Sequence, residues 1–390
     1  MAEAAFLSAT KTAQVRSGSG TLALTVALPP RPAGKQGYGT ISVAGTHGYF
    51  PAPFRRLLKM QQTIAITAVT IRDDENEVAE TLKERGYALA IHSRQTSPDR
   101  DEQRALLADA AGLIAGSEPL TREVLSEAPN LRVISRNGVG FDAVDLEAAT
   151  ELGIVVTFVP DAMVDAVADL ALGLLLSLAR RIPELDAALK GGEWRRAIGA
   201  DVAGRTLGLV GTGRIGMAVA RRAKAFRMRL LGYDPHPNPL FQEELGGDYV
   251  SLEELLELSD FVSLHVPATR ETRGLIGTDA LARMKSSAFL VNTARGSLVD
   301  EQALLEALQE GRIAGAALDV FSREPPEPGS PAAALQRLPN VVATPHVAAY
   351  TPITAARMGR AALANLLAVL DGVRPPHVAN PEVYDRALRS

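Results

Sequence analysis

The chain of 390 residues has no cysteine, which excludes disulfides, thiolate catalysis and cysteine-ligated metals. It has one tryptophan, Trp194, and six histidines, and His236 and His265 have no partner at metal-ligand spacing, so no metal site is expected. It has no basic excess. The 41 Lys/Arg against 45 Asp/Glu give a net charge of −4 and a pI near 6.0, which argues against a nucleic-acid surface. Long apolar runs are missing too: the longest, Leu170–Ala179, is about half a bilayer span and is flanked by Asp169 and Arg180. It reads as a buried helix, and no membrane partner is expected. What is present, 46% hydrophobic and 22% charged residues, is ordinary for a globular protein, and the length suits about two domains. The lack of cysteine fits a reducing compartment, so a cytoplasmic location is expected.

Charge is unevenly placed. Residues 1–59 hold seven Lys/Arg and one acid, Glu3, and include the Gly/Pro-rich stretch PPRPAGKQGYGT. With no sustained periodicity, they are expected to form a disordered extension or to reflect an upstream start codon, since Met60 opens the strand-like MQQTIAITAV. An organelle transit peptide, also basic and acid-poor, is the alternative.

After Met60, short apolar or β-branched runs alternate with helical stretches. Strands are expected at Ile64–Ile71, Ala88–Ile91, Gly112–Ala115, Arg132–Ser135 and Ile154–Val156, then a long apolar helix from Ala162 to Arg180. A second body opens with TLGLVGTG and continues through strands at Arg229–Tyr233, Phe261–Val266, Phe289–Asn292, Gly315–Val320 and Val341–Ala343. A final amphipathic helix spans Ile353–Asp371. Such alternation implies α/β architecture with two parallel sheets.

Gly211, Gly213 and Gly216 form a GxGxxG between the strand TLGLV and a helix. The first glycine allows a tight turn, the second lets the backbone approach a pyrophosphate, and the third lets helix and strand pack closely. The helix N-terminus then offers free N–H groups to phosphates. Asp234 ends the next strand, LLGYD, where its carboxylate can accept from ribose hydroxyls and would repel a 2′-phosphate. NAD is therefore the expected cofactor, favoured over NADP.

Three polar residues follow strands of the same body: Arg295 in FLVNTARGSLVD, Glu324 in GAALDVFSREPP and His346 in ATPHVAAYT. The carboxyl edge of an open α/β sheet is where ligands bind. With ISRNGVGFDAVDLEAA, VADLALGLLLSLAR and GRTLGLVGTGRIG, these stretches are similar to the NAD-dependent D-2-hydroxyacid dehydrogenases over essentially all of residues 60–390.

That resemblance implies a Rossmann NAD-binding domain, 161–345, inserted into a flavodoxin-like substrate domain, 60–160 plus 346–390. It implies that Arg295 holds the substrate carboxylate and carbonyl, that His346 is the general acid/base and that Glu324 orients it. The chemistry suits these types. Hydride delivery to a 2-oxo acid builds negative charge on the carbonyl oxygen, which a guanidinium and an imidazolium stabilise before the latter gives up its proton. The resemblance also makes Asn137, Gly138, Val139 and Gly140 the loop whose amides hold the substrate carboxylate. Arg214 and Ile215 would meet the cofactor phosphates, and Thr293 and Asp319 the nicotinamide side. The resemblance further places Trp194 in the family's dimer-facing segment, with core packing as the alternative, and implies a homodimer.

The likeness is to the phosphoglycerate dehydrogenase and glyoxylate/hydroxypyruvate reductase branches. Arg136 and Arg196 match phosphate-holding positions of the first, Arg196 reaching in from the neighbouring subunit, while Gly116 stands where some members carry another arginine. The expected substrate pair is 3-phosphoglycerate/3-phosphohydroxypyruvate. Glyoxylate/hydroxypyruvate reduction is the alternative, and a NAD-sensing protein like the corepressors built on this fold is a second one.

Overall fold

The computed structural model describes the backbone of residues 13–18, 21–28 and 39–45, and residues 62–387 apart from 72–75 and 95. Where the sequence suggests a disordered extension, the strands β1 (Ala13–Gly18), β2 (Thr21–Leu28) and β3 (Gly39–Gly45) pair antiparallel in the order β1-β2-β3. The stretch TLALTVAL sets Leu22, Leu24, Val26 and Leu28 between Thr and Ala. That period of two suits a strand, and Gly- and Pro-rich surroundings obscure it. The other residues of 1–59 lie outside the described residues.

The next sheet has five strands, β4 (Thr63–Ile66), β5 (Ala88–Ile91), β6 (Ala110–Ala115), β7 (Val133–Arg136) and β8 (Val155–Thr157), in the order β5-β4-β6-β7-β8. β6, β7 and β8 pair in parallel. In chain order this is 2-1-3-4-5, the flavodoxin-like arrangement. The first strand is shorter than expected: it ends at Ile66, and Ile71 closes a turn onto Ala68 O at 2.8 Å while staying buried. An apolar run shows burial but not where pairing ends.

Seven parallel strands form the other sheet: β9 (Thr206–Val210), β10 (Arg229–Tyr233), β11 (Asp248–Tyr249), β12 (Phe261–Leu264), β13 (Phe289–Asn292), β14 (Gly315–Leu318) and β15 (Val341–Ala343). Their order is β11-β10-β9-β12-β13-β14-β15. The order reverses between β9 and β12, the crevice at which Rossmann sheets bind dinucleotides. Successive residues of these strands enter opposite cores, as a period of two requires. Val210, Leu264, Leu290 and Leu318 pack on one face; Leu207, Leu209, Phe261, Val291 and Ala317 pack on the other. The second face is covered by α1 (Val164–Ala179) and α2 (Arg214–Ala225), whose alanines let the helices lie close to the sheet.

From β15 the chain enters α3 (Pro352–Leu370), capped by the Thr351 hydroxyl on Thr354 N. Among the described residues this is the one helix long and apolar enough to cross a membrane. It instead lies on the five-stranded sheet. Ser135 Oγ donates to Ala362 O at 2.8 Å, and a Cβ at Gly112 would stand 3.1 Å from Leu366.

Candidate active site

Arg295, Glu324 and His346 follow three neighbouring strands, β13, β14 and β15, so the sheet spacing of about 4.8 Å brings their loops together. Contacts at the strand ends fix the arrangement. Asp319 N donates to Asn292 O at 2.9 Å, and His346 N donates to Asp319 O at 2.7 Å. Gly296 lies so close to the next loop that a Cβ there would meet Phe321 C at 1.9 Å. Phe321 N in turn donates to Glu324 Oε1 at 2.9 Å.

The other oxygen, Glu324 Oε2, is 2.6 Å from His346 Nδ1. The carboxylate thus takes Nδ1 and leaves Nε2 for a ligand, with the ring 39% exposed. His346 has φ of 54°, a left-handed conformation uncommon outside glycine. Asp319 holds it there: its Oδ1 accepts from Thr344 Oγ1 at 2.5 Å and Val347 N at 2.9 Å, and its Oδ2 accepts from Ala348 N at 3.0 Å.

Arg295 is held from two sides. Its Nη1 donates to Ala294 O at 2.7 Å and its Nε to Asp142 Oδ1 at 2.9 Å, which ties it to the loop after β7. Burial works against charge on Asp142, but the adjacent Arg295 guanidinium still holds it below the usual carboxylate range. Gly140 lies under the guanidinium; a Cβ there would stand 1.4 Å from Nη2. Gly138 O accepts from Val159 N at 2.9 Å, and Asn137 Nδ2 donates to Thr70 Oγ1 at 2.9 Å. Val139 and Ile215 both pack on the small core of Met163, Val167, Ala348 and Met358, so this loop, the start of α2 and the His346 loop share one apolar contact.

The glycine loop has the form a dinucleotide needs. Gly211 has φ of 98°, and a Cβ there would be 2.7 Å from His265 O. At Gly216 a Cβ would be 2.1 Å from Gly211 O, whereas at Gly213 it would meet nothing within 4 Å, which leaves the cradle open. No side chain caps α2, and its first backbone bond runs from Met217 N to Gly213 O. The N–H groups of Arg214, Ile215 and Gly216 are therefore available to phosphate oxygens. A cleft of about 600 Å³ opens here, lined by Asp161, Gly213, Arg214 and Asn238 among others. Asp234 Oδ2 accepts from Thr212 N at 2.7 Å and Oδ1 from His236 N at 2.9 Å, which fixes the carboxylate at the end of β10. Thr293 Oγ1 is buried without a partner, as an atom awaiting a ligand would be. These residues fit NAD. Burial pushes His265 down to about 4, so its ring is neutral near pH 7 and is no proton donor.

The comparisons bear on the same residues. The sequence model of the D-isomer specific 2-hydroxyacid dehydrogenase NAD-binding domain matches residues 172–348. A glyoxylate reductase of Korarchaeum cryptofilum is 49% identical over 273 residues, 68% of this chain and 81% of that protein. The chain belongs to the D-isomer specific 2-hydroxyacid dehydrogenase family. The dehydrogenase is also 44% identical over 289 residues to a D-3-phosphoglycerate dehydrogenase of Methanocaldococcus jannaschii, covering 73% of this chain and 54% of that one. An NADPH-dependent glyoxylate/hydroxypyruvate reductase of Sinorhizobium meliloti, solved with NADP and malonate, matches with a TM-score of 0.71 and 33% identity over 82% of this chain and 98% of that one. The family makes the protein an NAD-dependent oxidoreductase acting on a CH–OH group.

Asp319, expected at the nicotinamide side, is fully buried and gives both carboxylate oxygens to the His346 loop, so its side chain positions that loop. Arg196, expected to reach a substrate phosphate from the neighbouring subunit, is exposed on the irregular stretch after the helix Ile182–Lys190. Arg214 Nε pairs with Asp161 Oδ1 at 2.7 Å in an exposed ion pair, a contact of little energetic weight that a phosphate can displace. Sequence reasoning missed Asp142 and Glu118. Asp142 was findable, two residues beyond Gly140 in the same loop; Glu118, in the segment GSEPLT, carries no local signal of burial.

Proposed function

We propose that the dehydrogenase reduces glyoxylate and hydroxypyruvate with NADH, with Arg295 and the 137–140 loop holding the substrate carboxylate. The observation that carries the reading is the His346–Glu324 contact of 2.6 Å on the loops flanking Arg295. The Gly211–Gly216 loop would hold NADH, which would supply the hydride. His346 Nε2 donates the proton to the carbonyl oxygen, while Arg295 stabilises the charge that develops there. Glu324 fixes the ring and balances its charge, and Thr293 offers its hydroxyl on the nicotinamide side. Asp234 would face the adenosine ribose, where a 2′-phosphate would meet a carboxylate.

The choice of substrate follows the relatives. The glyoxylate reductase is matched over 81% of its length, the phosphoglycerate dehydrogenase over 54%. We further propose that residues 161–345 form the NAD-binding domain, inserted into a substrate domain of 60–160 plus 346–390. The protein would act as a cytoplasmic homodimer: Trp194 is 80% and Ile198 94% exposed, on the stretch that also carries Arg196.

NADH oxidation with glyoxylate, hydroxypyruvate, 3-phosphohydroxypyruvate and pyruvate in parallel tests the reading. Glyoxylate and hydroxypyruvate should lead 3-phosphohydroxypyruvate in kcat/KM by at least about tenfold, or about 1.4 kcal/mol. NADH should lead NADPH by a similar factor. A lead for the phosphorylated acid would restore the phosphoglycerate reading, and no oxidation with any of the four would favour the NAD-sensing one.

A further inference from the structure

We propose that Glu118 sets substrate choice: its buried carboxyl stands beside Arg136 where a substrate's anionic group would otherwise bind, so the subsite takes a neutral hydroxymethyl group and rejects a phosphate or second carboxylate. The proposal rests on the reading above, that the dehydrogenase reduces small 2-oxo acids at Arg295 and His346.

Thr67, Gly116 and Arg136 come at the carboxyl ends of three neighbouring strands, β4, β6 and β7. Glu118 is 1% exposed. The Thr67 hydroxyl donates to Glu118 Oε1 in a short bond and accepts from Gly116 N at 3.1 Å, so the carboxyl is anchored to the sheet edge. A Cβ at residue 116 would stand 2.8 Å from Glu118 Oε2 and 3.0 Å from Thr67 O. A side chain at 116 would therefore have to displace the Glu118 carboxyl and press on the Thr67 carbonyl.

Arg136 is buried too, and its Nε donates to Gly140 O at 3.0 Å. That carbonyl belongs to the glycine that lies under the Arg295 guanidinium, so both arginines flank one residue of the substrate loop. Arg136 Nη1 is buried with no hydrogen-bond partner, and so is Asn137 Oδ1 on the next residue. Buried polar atoms left open in this way point to a ligand that completes them. Burial pushes the Arg136 guanidinium down, and the Glu118 carboxylate is the first of the neighbouring charges to oppose this. No direct ion pair joins the two among the described residues. A hydroxyl can accept from Nη1 and donate to a carboxylate. A phosphate can only accept, and it meets a second anion in a site of low dielectric.

The test compares wild type with Glu118→Gln, which keeps the shape and the acceptor for Thr67 but loses the charge. Steady-state kcat/KM with NADH is measured for hydroxypyruvate and 3-phosphohydroxypyruvate, and thermal midpoints are measured in inorganic phosphate and in chloride at equal ionic strength. Wild type should favour hydroxypyruvate by at least about tenfold. Glu118→Gln should shrink that ratio at least about tenfold and show a larger rise in midpoint with phosphate than wild type, whose glycine loop can itself bind phosphate. A wild type that uses the phosphorylated acid as well as hydroxypyruvate overturns the proposal without any variant. So does a Glu118→Gln protein with an unchanged ratio and no larger phosphate-dependent rise in midpoint than wild type. If neither glyoxylate nor hydroxypyruvate is reduced, the functional reading fails by itself, and the phosphate midpoints alone then support or overturn the subsite.

Discussion

His346→Gln is expected to lower kcat for glyoxylate reduction by about 10²–10⁴-fold, the range that a positioned proton donor supplies. That loss corresponds to about 3–5 kcal/mol of transition-state stabilisation. Glutamine keeps a polar side chain at a residue whose N–H is held by Asp319 O at 2.7 Å and whose φ of 54° the Asp319 carboxylate enforces through Val347 and Ala348. The loop should therefore keep its course, and NADH affinity and thermal midpoint should stay near wild type. What the amide lacks is a proton to give, so kcat and kcat/KM should fall together. A variant with a raised KM and near-normal kcat would show that His346 binds substrate without donating to it.

Gly140→Ala is expected to cost about 10²-fold in kcat/KM while scarcely moving the thermal midpoint, because removal of one charge-stabilising donor costs about 10²–10³. The added Cβ would fall 1.4 Å from Arg295 Nη2 and 2.6 Å from Cζ, so the guanidinium must leave its position. It is the far end of a flexible side chain, so moving it strains little of the fold. The backbone of Gly140 has no positive φ that would penalise alanine. Function bears the cost, because Arg295 is aimed by Asp142 Oδ1 at 2.9 Å and Ala294 O at 2.7 Å, and rotation breaks that aim. Kinetics and a thermal melt on one preparation decide the matter. Normal turnover would mean that Arg295 works from another position, and a collapsed midpoint would mean that Gly140 is structural.

Much of this site is legible in the chain. Gly211 and Gly216 announce themselves because each answers a steric demand of the fold, Gly213 because it keeps the cradle open, and Asp234 because it comes at the end of the strand that follows. Arg295, Glu324 and His346 stand at strand ends, so a parallel sheet gathers them whatever their separation in sequence. Asp319 shows more in the structure than in the sequence. A polar residue at a strand end suggests a ligand, and the loop after β15 also turns back onto its carboxylate. Glu118 was invisible because burial of an acid depends on Thr67 and Arg136, 51 residues before it and 18 after, brought alongside by strand order. The strands of residues 13–45 are hidden by a Gly- and Pro-rich composition, although the alternation of TLALTVAL suits a strand.

The central claim is that one imidazole, His346, gives the proton in reduction and takes it back in oxidation. The most direct measurement is the pH dependence of kcat/KM in both directions on the same protein, hydroxypyruvate with NADH against D-glycerate with NAD. Reduction requires the imidazolium and should fall as pH rises; oxidation requires the neutral ring and should rise through the same interval. In His346→Gln both limbs should flatten. Profiles that move in the same direction, or limbs that survive in His346→Gln, would contradict the account.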